Sequence, residues 1–404
     1  MTFVSLGPML PTVEISVDFA NDPTSSTRTW VDVTPYVREF ATGRGRRDAL
    51  SRIDTGTLAL TLQNQDGRFD PTNTTGPYYP NVLPMRRIRV LAQWDGVTYN
   101  VFHGFVEDWT LSFPDMGKNA LVYVTAVDAL AILPSFDLVG QSYAAQLSSA
   151  RGSAVCDTCG FLSTDLAINT GQSTLVASGT IAADSDALSH LLDIQASENG
   201  LLFADAGGTL VFQGRHYRAQ NKSASAGTIG TGAGLIGYQD IRTSYGVSDM
   251  FTAVSVTANG GTAETATDAA GTASYFKRSL TWLTGGSYLV SSQSETLNAA
   301  QHVLGLYSAP ALRVPEVAVV GAGGTANWAT ILGFDVSSRA TIAHVTPAGG
   351  TITGDKHVEG IGHRVTFERD WETALQLSDA PSQAVWIVGD ASNSLAGQTT
   401  VAGY

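Results

Sequence analysis

Apolar and polar residues alternate with a period of two along several stretches of the first 130 residues. In residues 11–20 the apolar positions are Val13, Ile15, Val17 and Phe19. Successive side chains of a strand point to opposite faces, so this pattern predicts a strand whose apolar residues face a core. Similar patterns predict an extended segment at 30–40 and strands near 57–63, 86–94, 99–112 and 120–127. Because roughly six strands with short turns leave fewer exposed edges when they close, we expect a closed or nearly closed barrel.

Turn signals separate the predicted strands. The glycine-containing basic segment at 43–47 follows the extended segment, and we predict a turn there. The strand near 57–63 is followed by Asn64-Gln65-Asp66-Gly67, in which Asp-Gly is a strong turn signal. A proline-rich loop then carries Tyr78-Tyr79-Pro80 and leads into the next strand.

The middle of the chain loses the alternation, and we place a domain boundary near residue 133. Residues 184–199 carry apolar side chains at helical spacing and predict a helix, with Asp184 or Ser185 as its N-cap. Two short apolar runs joined by glycines at 200–213 predict a hairpin. This region therefore has a mixed α+β pattern.

Strand patterns return after residue 241. A helix is predicted over 294–307, where apolar residues form one stripe before Pro310. Extended segments follow at 313–320, 340–345, 360–367 and 371–377. The predicted fold class is mainly β (α+β), with this division: a first β-barrel at 1–133, an α+β insertion at 134–240, a second β-barrel at 241–377, and a C-terminal strand or arm at 378–404.

Three stretches of this chain resemble one protein family. The first is the basic segment, strand and turn at 46–71 with the proline-rich loop after it; the second is the helix and hairpin followed by Arg215-His216-Tyr217-Arg218; the third is the helix at 294–307, the Pro-containing strand, Gly360-Ile361-Gly362-His363 and 371–377. Together they resemble the minor tail proteins of long-tailed phages (siphophages) of actinobacteria, especially the tail-tip hub proteins. The resemblance covers roughly residues 30–377.

The resemblance implies two tube-like barrels in each copy, with three copies forming a pseudo-sixfold ring that continues the tail tube. Expected neighbours are the distal tail protein, the tape measure protein and other minor tail proteins, with genomic DNA passing through and the host cell wall met through neighbouring proteins. The expected location is the virion tail tip, after synthesis in the host cytoplasm. Our candidate subunit-interface residues are Arg44, Arg46, Arg47, Tyr78, Tyr79, Arg86 and Arg87.

The charge balance argues against a firm grip on nucleic acid. The 23 basic and 36 acidic residues give a net charge of −13, whereas binding to a phosphate backbone depends on clustered Lys and Arg. An acidic surface would suit a channel wall along which DNA slides, and it would equally keep a soluble chain dispersed. The start of the chain lacks a secretory signal pattern, and we expect a soluble protein.

Catalytic motifs are missing from the sequence. Neither His-Glu-x-x-His nor Gly-x-Ser-x-Gly occurs, and we interpret the seven histidines, including His357 and His363, as surface or turn residues. Cys156 and Cys159 are either free, joined in a local disulfide, or half of a metal site completed by another subunit. We therefore predict no enzyme activity, no catalytic residues and no cofactor.

Two alternatives to the hub remain open. A distal tail protein would form a hexameric ring between tube and hub and would share the first barrel. A carbohydrate- or receptor-binding minor tail protein would use some of the seven tryptophans and thirteen tyrosines as stacking platforms. Aromatic residues more often lie in cores and subunit interfaces.

Overall fold

The computed structural model describes residues 3–6, 10–182, 185–320, 327–367, 370–380, 384–386 and 400–402. In this part of the chain a sheet of 14 strands dominates the architecture. The prediction of a mainly β protein is confirmed. No helix among the described residues is long and apolar enough to cross a membrane.

The first β unit comprises the strands that precede residue 128. They lie in the order β1-β2-β6-β7-β8-β5-β4, with β3 beside β2. Their bounds are β1 (Val4–Ser5), β2 (Thr12–Asp18), β3 (Val31–Asp32), β4 (Val37–Gly45), β5 (Asp54–Gln63), β6 (Arg87–Trp94), β7 (Val97–Ser112) and β8 (Leu121–Val127).

The insertion follows, with short strands and helices. One of its sheets has the order β11-β15-β14. Bounds are β9 (Ser142–Tyr143), β10 (Gln146–Leu147), α1 (Ser148–Thr158), β11 (Leu166–Ile168), β12 (Thr174–Leu175), β13 (Gly179–Thr180), α2 (Ala187–Glu198), β14 (Leu201–Ala204), β15 (Leu210–Gln213) and α3 (Tyr217–Asn221). Short 3-10 helices lie at Thr34–Tyr36, Asp115–Gly117, Ala129–Ser135 and Ser163–Asp165.

The remaining elements include the second β unit, which comprises β16, β17, β21, β22, β23 and β24. Bounds are β16 (Thr228–Gly230), β17 (Asp240–Ser244), β18 (Ala253–Thr257), β19 (Ala263–Thr267), α4 (Ala269–Tyr275), β20 (Ser279–Leu283), α5 (Gln293–Tyr307), β21 (Arg313–Val320), α6 (Trp328–Gly333), β22 (Arg339–Val345), β23 (Thr351–Thr366), β24 (Asp370–Asp379), β25 (Ala384–Trp386) and β26 (Thr400–Ala402).

The two β units repeat one topology. The sheet order β6-β7-β8-β5-β4 of the first unit matches β22-β23-β24-β21-β17 of the second. The matched strands also follow one another in the same order along the chain. The long strands β7 and β23 each have 16 residues. The chain therefore carries two versions of one strand arrangement.

The expected closure of the first barrel does not occur through hydrogen bonds. No ladder among the described strands joins β4 to β2, and the free edge of β4 pairs instead with β23. The turn that we predicted at 43–47 is also wrong in part, because β4 continues to Gly45. Both corrections have one cause: β4 extends so that it can join the second β unit.

Helix α2 and the hairpin are confirmed with one correction. The helix begins at Ala187, because the side chain of Asp186 accepts a hydrogen bond from the backbone N–H of Ser189. The predicted N-cap is therefore wrong for Ser185, and Asp184 lies outside the described residues. Strands β14 and β15 pair as the predicted antiparallel hairpin, and α5 matches the helix predicted at 294–307.

Two hydrophobic cores organise the described chain. The first contains buried side chains of both β units, such as Ile15, Phe40 and Trp371. The second contains α1, α2 and the hairpin, and also buried residues of β18 and α5, which we had expected within the second barrel. The predicted domain limits stay predictions. Of the predicted C-terminal arm at 378–404, only 378–380, 384–386 and 400–402 are described, and β25 and β26 pair in parallel.

Candidate functional site

The joint between the two β units is a strand pair. Antiparallel pairing of β4 with β23 runs from Gly45↔Gly360 to Glu39↔Thr366. Gly45 has a φ of +99°, and a Cβ there would lie 2.2 Å from the carbonyl oxygen of Glu359 and 2.6 Å from the Cα of Gly360. Only glycine tolerates this conformation and this close approach without strain. The sequence therefore allows two sheets to continue into one.

The joint creates what we call the composite sheet: the second half of β7 (108–112), then β8, β5, β4, β23, β24, β21 and β17. One face packs on the first core through buried residues such as Leu60, Val124 and Ile361. The residues of the other face are mostly exposed or half-buried. We call this second surface the outer face.

The pairing register arranges the outer face in four rows that cross both β units. Threonine, alanine and glycine alternate there with carboxylates. The rows are Thr110, Tyr123, Thr61, Glu39, Thr366 and Asp370; Asp108, Thr125, Ala59, Ala41, Arg364 and Glu372; Thr57, Gly43, Gly362, Ala374, Ala318 and Asp240; and Asp54, Gly45, Gly360, Gln376, Glu316 and Arg242.

The outer face is small, polar and acidic. Its carboxylates outnumber its two arginines, Arg364 and Arg242, and Tyr123 is its one large aromatic residue among the positions in these rows. A shallow groove of about 370 Å³ crosses the glycine-rich centre of the face, where β4 meets β23, and its lining also includes Arg44, Arg46 and the exposed Arg47. Such a surface offers few cations to a phosphate backbone and few apolar groups to a protein partner.

The composite sheet ends in a free edge on each side. Strand β17 pairs with β21, and no other described strand pairs with it. At the other end, residues 108–112 of β7 pair only with β8, because β6 pairs with the first half of β7. Unpaired edges of this kind are ready to accept a strand from another chain.

The predicted interface arginines lie mostly inside the molecule. Arg44 is ion-paired with Asp335 at 2.6 Å, and Arg46 with Glu359 at 2.8 Å. Arg86 donates a hydrogen bond to the carbonyl oxygen of Asn21, and Arg87 donates one to Asp165. Arg47 differs from them, since its side chain is 88% exposed.

The two predicted interface tyrosines also differ. The ring of Tyr78 stacks on Phe19 with centroids 4.3 Å apart, and it packs against the first core. Tyr79 is 44% exposed. Of the seven candidates, Arg47 and Tyr79 are therefore the two that remain open to a neighbour, and their interface role stays a prediction.

Glu359 is the polar residue that sequence reasoning missed. Its buried carboxylate accepts a bidentate pair of hydrogen bonds from Arg218, at 2.6 and 3.0 Å, and others from Arg46 and Ser378. Burial alone would raise the pKa of Glu359, but the two guanidinium groups outweigh burial and hold the pKa well below its usual range. This residue ties the loop after β4, helix α3 and β24 to β23. Its partners are distant in sequence, so no local pattern indicated it.

Two histidines that we predicted at the surface are buried. His363 is 5% exposed and its Nδ1 lies within hydrogen-bonding distance of Thr373 and Trp371. His357 is also 5% exposed, and burial lowers its pKa to about 3. Cys156 and Cys159 are free thiols buried in the second core. In the described ranges no group of three or more His, Cys, Asp or Glu side chains is placed to hold a metal ion.

Comparison with solved structures shows which fold this is. The chain is similar to the 43 kDa tail protein of prophage MuSo2 from Shewanella oneidensis, at 13% identity and a TM-score of 0.57 over 92% of this chain and 97% of that one. It is similar to the tail protein from Neisseria meningitidis MC58, at 11% identity and a TM-score of 0.58 over 91% and 96%. A chain of the Francisella PdpA-VgrG complex matches at 9% identity and a TM-score of 0.50, over 91% and 58%.

These similarities establish a shared fold with phage tail proteins. No protein-family model matches the sequence. No curated protein matches it either.

Proposed function

We propose that this chain is a structural subunit of a phage tail tip, and that copies of it form a hub ring whose channel wall is the outer face of the composite sheet. The observation that carries the proposal is the joint between β4 and β23, which merges two β units of the same topology into one sheet. The resemblance in the sequence and the fold shared with tail proteins support it.

The repeat of strand order indicates how copies would join. In the second β unit, the second half of β23 accepts β4 at its edge. No described strand pairs with the matching half of β7 on this side, and none pairs with the outer edge of β17, which matches β4. We therefore infer that β17 of one copy pairs with residues 108–112 of the next copy. Three copies would then supply six β units around one channel.

The bulges in the long strands fit this assembly. The pairing of β23 with β24 skips Glu359, and the pairing of β7 with β8 skips Glu107. Glu359 is buried against Arg46 of the loop after β4 and Arg218 of helix α3, whereas Glu107 is exposed. Glu107 thus holds, at the free edge, the position that Glu359 holds at the filled edge.

The composition of the outer face suits the passage of DNA. Its carboxylates repel phosphates, and its short side chains leave a smooth surface. Genomic DNA and the tape measure protein would pass without specific binding, while Arg47 and Tyr79 remain available to contact the distal tail protein or other minor tail proteins. The site we assign to this chain is the virion tail tip. We assign it a structural role and no enzymatic one.

The tryptophans give little support to the carbohydrate-binding alternative. Trp109, Trp328 and Trp371 are buried in the first core, and Trp94 packs against it. Stacking platforms for sugars need exposed rings. Of the two alternatives, the distal tail ring stays closer to the proposal, because a distal tail protein would share the barrel of the first β unit.

The proposal is tested by the mass and symmetry of the purified protein, measured by native mass spectrometry and negative-stain averaging. We expect a closed trimer with an axial hole. A hexamer would move the assignment to the distal tail ring, and a monomer at all concentrations, with or without neighbouring tail proteins, would overturn the ring.

Edge variants make this test specific. A lysine on an edge strand blocks strand addition, so Thr243→Lys in β17 should reduce the trimer fraction. Thr265→Lys lies on β19, the exposed edge of the three-stranded sheet β19-β18-β20, and serves as the matched control. Equal trimer fractions for both variants would contradict the assigned edge.

A further inference from the structure

A cavity of about 360 Å³ lies between the insertion and the second β unit. Its walls come from the loop after β4, the ends of the hairpin β14–β15, helices α3 and α5, and strands β21 to β24. One side is apolar and includes Leu50, Leu201, Trp282 and Leu306. The ring proposed above does not use this cavity, since none of the lining residues belongs to the four rows of the outer face, although Arg46 also borders the groove at the centre of that face.

The other side of the cavity is rich in arginine. Arg46, Arg215, Arg218, Arg313 and Arg339 contribute to the lining, and Asp379 is the one carboxylate among the lining residues. A concave, partly apolar wall lined by cations focuses an attractive field on anions. This arrangement stands out in a chain with a net charge of −13.

Several cations of this wall share their carboxylate partners. Arg46 and Arg218 share Glu359, and Arg313 and Lys356 share Asp379. Arg339 has Asp355 as its own partner, while Arg215 contacts Glu198 and Glu295. Two of these carboxylates, Glu359 and Asp379, are therefore each shared by two cations.

His357 adds a neutral ring to the same wall. Its side chain lines the cavity, and its Nδ1 is buried without a hydrogen-bond partner among the described residues. Because burial lowers its pKa to about 3, the ring is neutral at neutral pH.

We propose that this cavity binds an organic anion: an apolar body, of the size of an aromatic ring or short alkyl chain, that carries a carboxylate, sulfonate or phosphate. The apolar body would lie against Trp282 and Leu306, and the anionic group would accept hydrogen bonds from the arginine wall. Arginine suits this role because its planar donors match the oxygens of such groups. A free small molecule and an acidic, apolar segment of a neighbouring tail protein both have this chemistry.

The first test is titration with the fluorescent probe 8-anilinonaphthalene-1-sulfonate, which has an aromatic body and one sulfonate. Arg313→Gln removes a rim cation whose side chain is 18% exposed. We expect it to weaken probe binding about tenfold, because a hydrogen bond to a charged group is lost. Arg242→Gln removes an arginine from the outer face and should change binding less than about twofold. Equal affinities for the two variants would overturn the site.

A second measurement uses the unaltered chain and does not depend on the folding of any variant. Benzoate and benzamide have the same aromatic body, but only benzoate is charged. We expect benzoate to displace the probe at a concentration about tenfold lower than benzamide. Equal displacement by both would show that the arginine wall plays no part, and it would overturn the proposal.

Two further observations then distinguish a free small molecule from a protein segment as the source of the natural anion. A small adduct seen by native mass spectrometry and removed by the probe would identify a free molecule. Loss of probe binding only after assembly with neighbouring tail proteins would identify a protein segment. Either result supports the site, whereas an unligated cavity that stays open to the probe in the complete tail would contradict it.

Discussion

Strands β7 and β23 occupy the same place in two β units of equal topology, yet their second halves differ. The edge of β23 is filled by β4, and Glu359 is buried there between Arg46 and Arg218. No strand in the described part of the chain pairs with the matching edge of β7, and Glu107 is exposed. The same strand arrangement is therefore seen once with a strand paired at this edge and once without one.

The difference shows what the pairing of a further strand at this edge requires. The filled edge combines glycines that let two backbones approach, as Gly45 and Gly360 do, with cations that neutralise the bulge carboxylate. Burying a charge is costly unless it is paired and hydrogen-bonded. An open edge with an exposed carboxylate avoids this cost in the free subunit and keeps a surface for the next copy.

The largest effect that should separate the two edges is loss of the bulge carboxylate. Glu359→Gln keeps the side-chain size but leaves Arg46 and Arg218 with unpaired buried charge, so the free energy of unfolding should fall by about 3–5 kcal/mol. Glu107→Gln should change it by less than about 0.5 kcal/mol in the unassembled chain. Urea unfolding of both variants is the measurement. Similar losses would mean that the two edges are equivalent in the free subunit.

The second effect concerns the glycines of the filled edge. Gly45→Ala places a Cβ against the backbone of β23 at a φ of +99°, and we expect a loss of about 2–3 kcal/mol. Gly43→Ala is the matched control on the same strand, because the nearest atom to its Cβ would be the Thr57 hydroxyl at 3.8 Å. A small loss for both substitutions would show that the joint tolerates side chains and is not defined by close backbone approach.

The third effect tests a feature that the two strands share. His103 in β7 lies four residues before Glu107, His357 in β23 lies two residues before Glu359, and burial lowers their pKa values to about 4 and about 3. The unfolded chain binds a proton at these positions below pH 6.5, whereas the folded chain does not. Their contribution to stability is therefore complete above pH 6.5 and is lost as the pH falls toward the folded values.

Replacing either histidine should flatten this dependence. For His103→Gln and for His357→Gln, we expect the slope of unfolding free energy against pH to decrease by about 1.4 kcal/mol per pH unit between pH 6 and 5. The slopes above pH 7.5 should match that of the parent chain and serve as the internal control. An unchanged slope in acid would show that the histidine is protonated in the folded chain.

Much of the fold could be predicted from the sequence, because its signals are local. The alternation at 11–20 predicted β2, and Val13, Ile15 and Val17 are all buried. The apolar stripe at 294–307 predicted α5 for the same reason. In both elements a repeating pattern places one face toward a core.

The joint and the cavity could not be predicted, because they depend on contacts between distant residues. Gly43 and Gly45 indicated a turn, because glycine is common in turns. The strand that pairs with them lies more than 300 residues later in the chain, so no local pattern reveals it. The same holds for Arg46, which we expected to meet a neighbouring subunit and which meets Glu359 instead. A basic residue beside glycine gives no local sign of which partner it will find.

The smallest expected effect on stability tests the proposed wall directly. Ala59 is exposed in the second row of the outer face, beside Ala41 on β4. Lysine there should change the unfolding free energy by less than about 0.5 kcal/mol, because it contacts only solvent and neighbouring short side chains. In an assembled ring, Ala59→Lys should retain linear DNA in a filter-binding assay at low salt, with retention lost as salt rises. Ala59→Glu has a side chain of similar length and should not retain DNA. Equal retention for the two variants would show that DNA does not pass along this face. Retention by the lysine variant alone would show that this face meets the DNA and acts separately from the edges that hold the ring together.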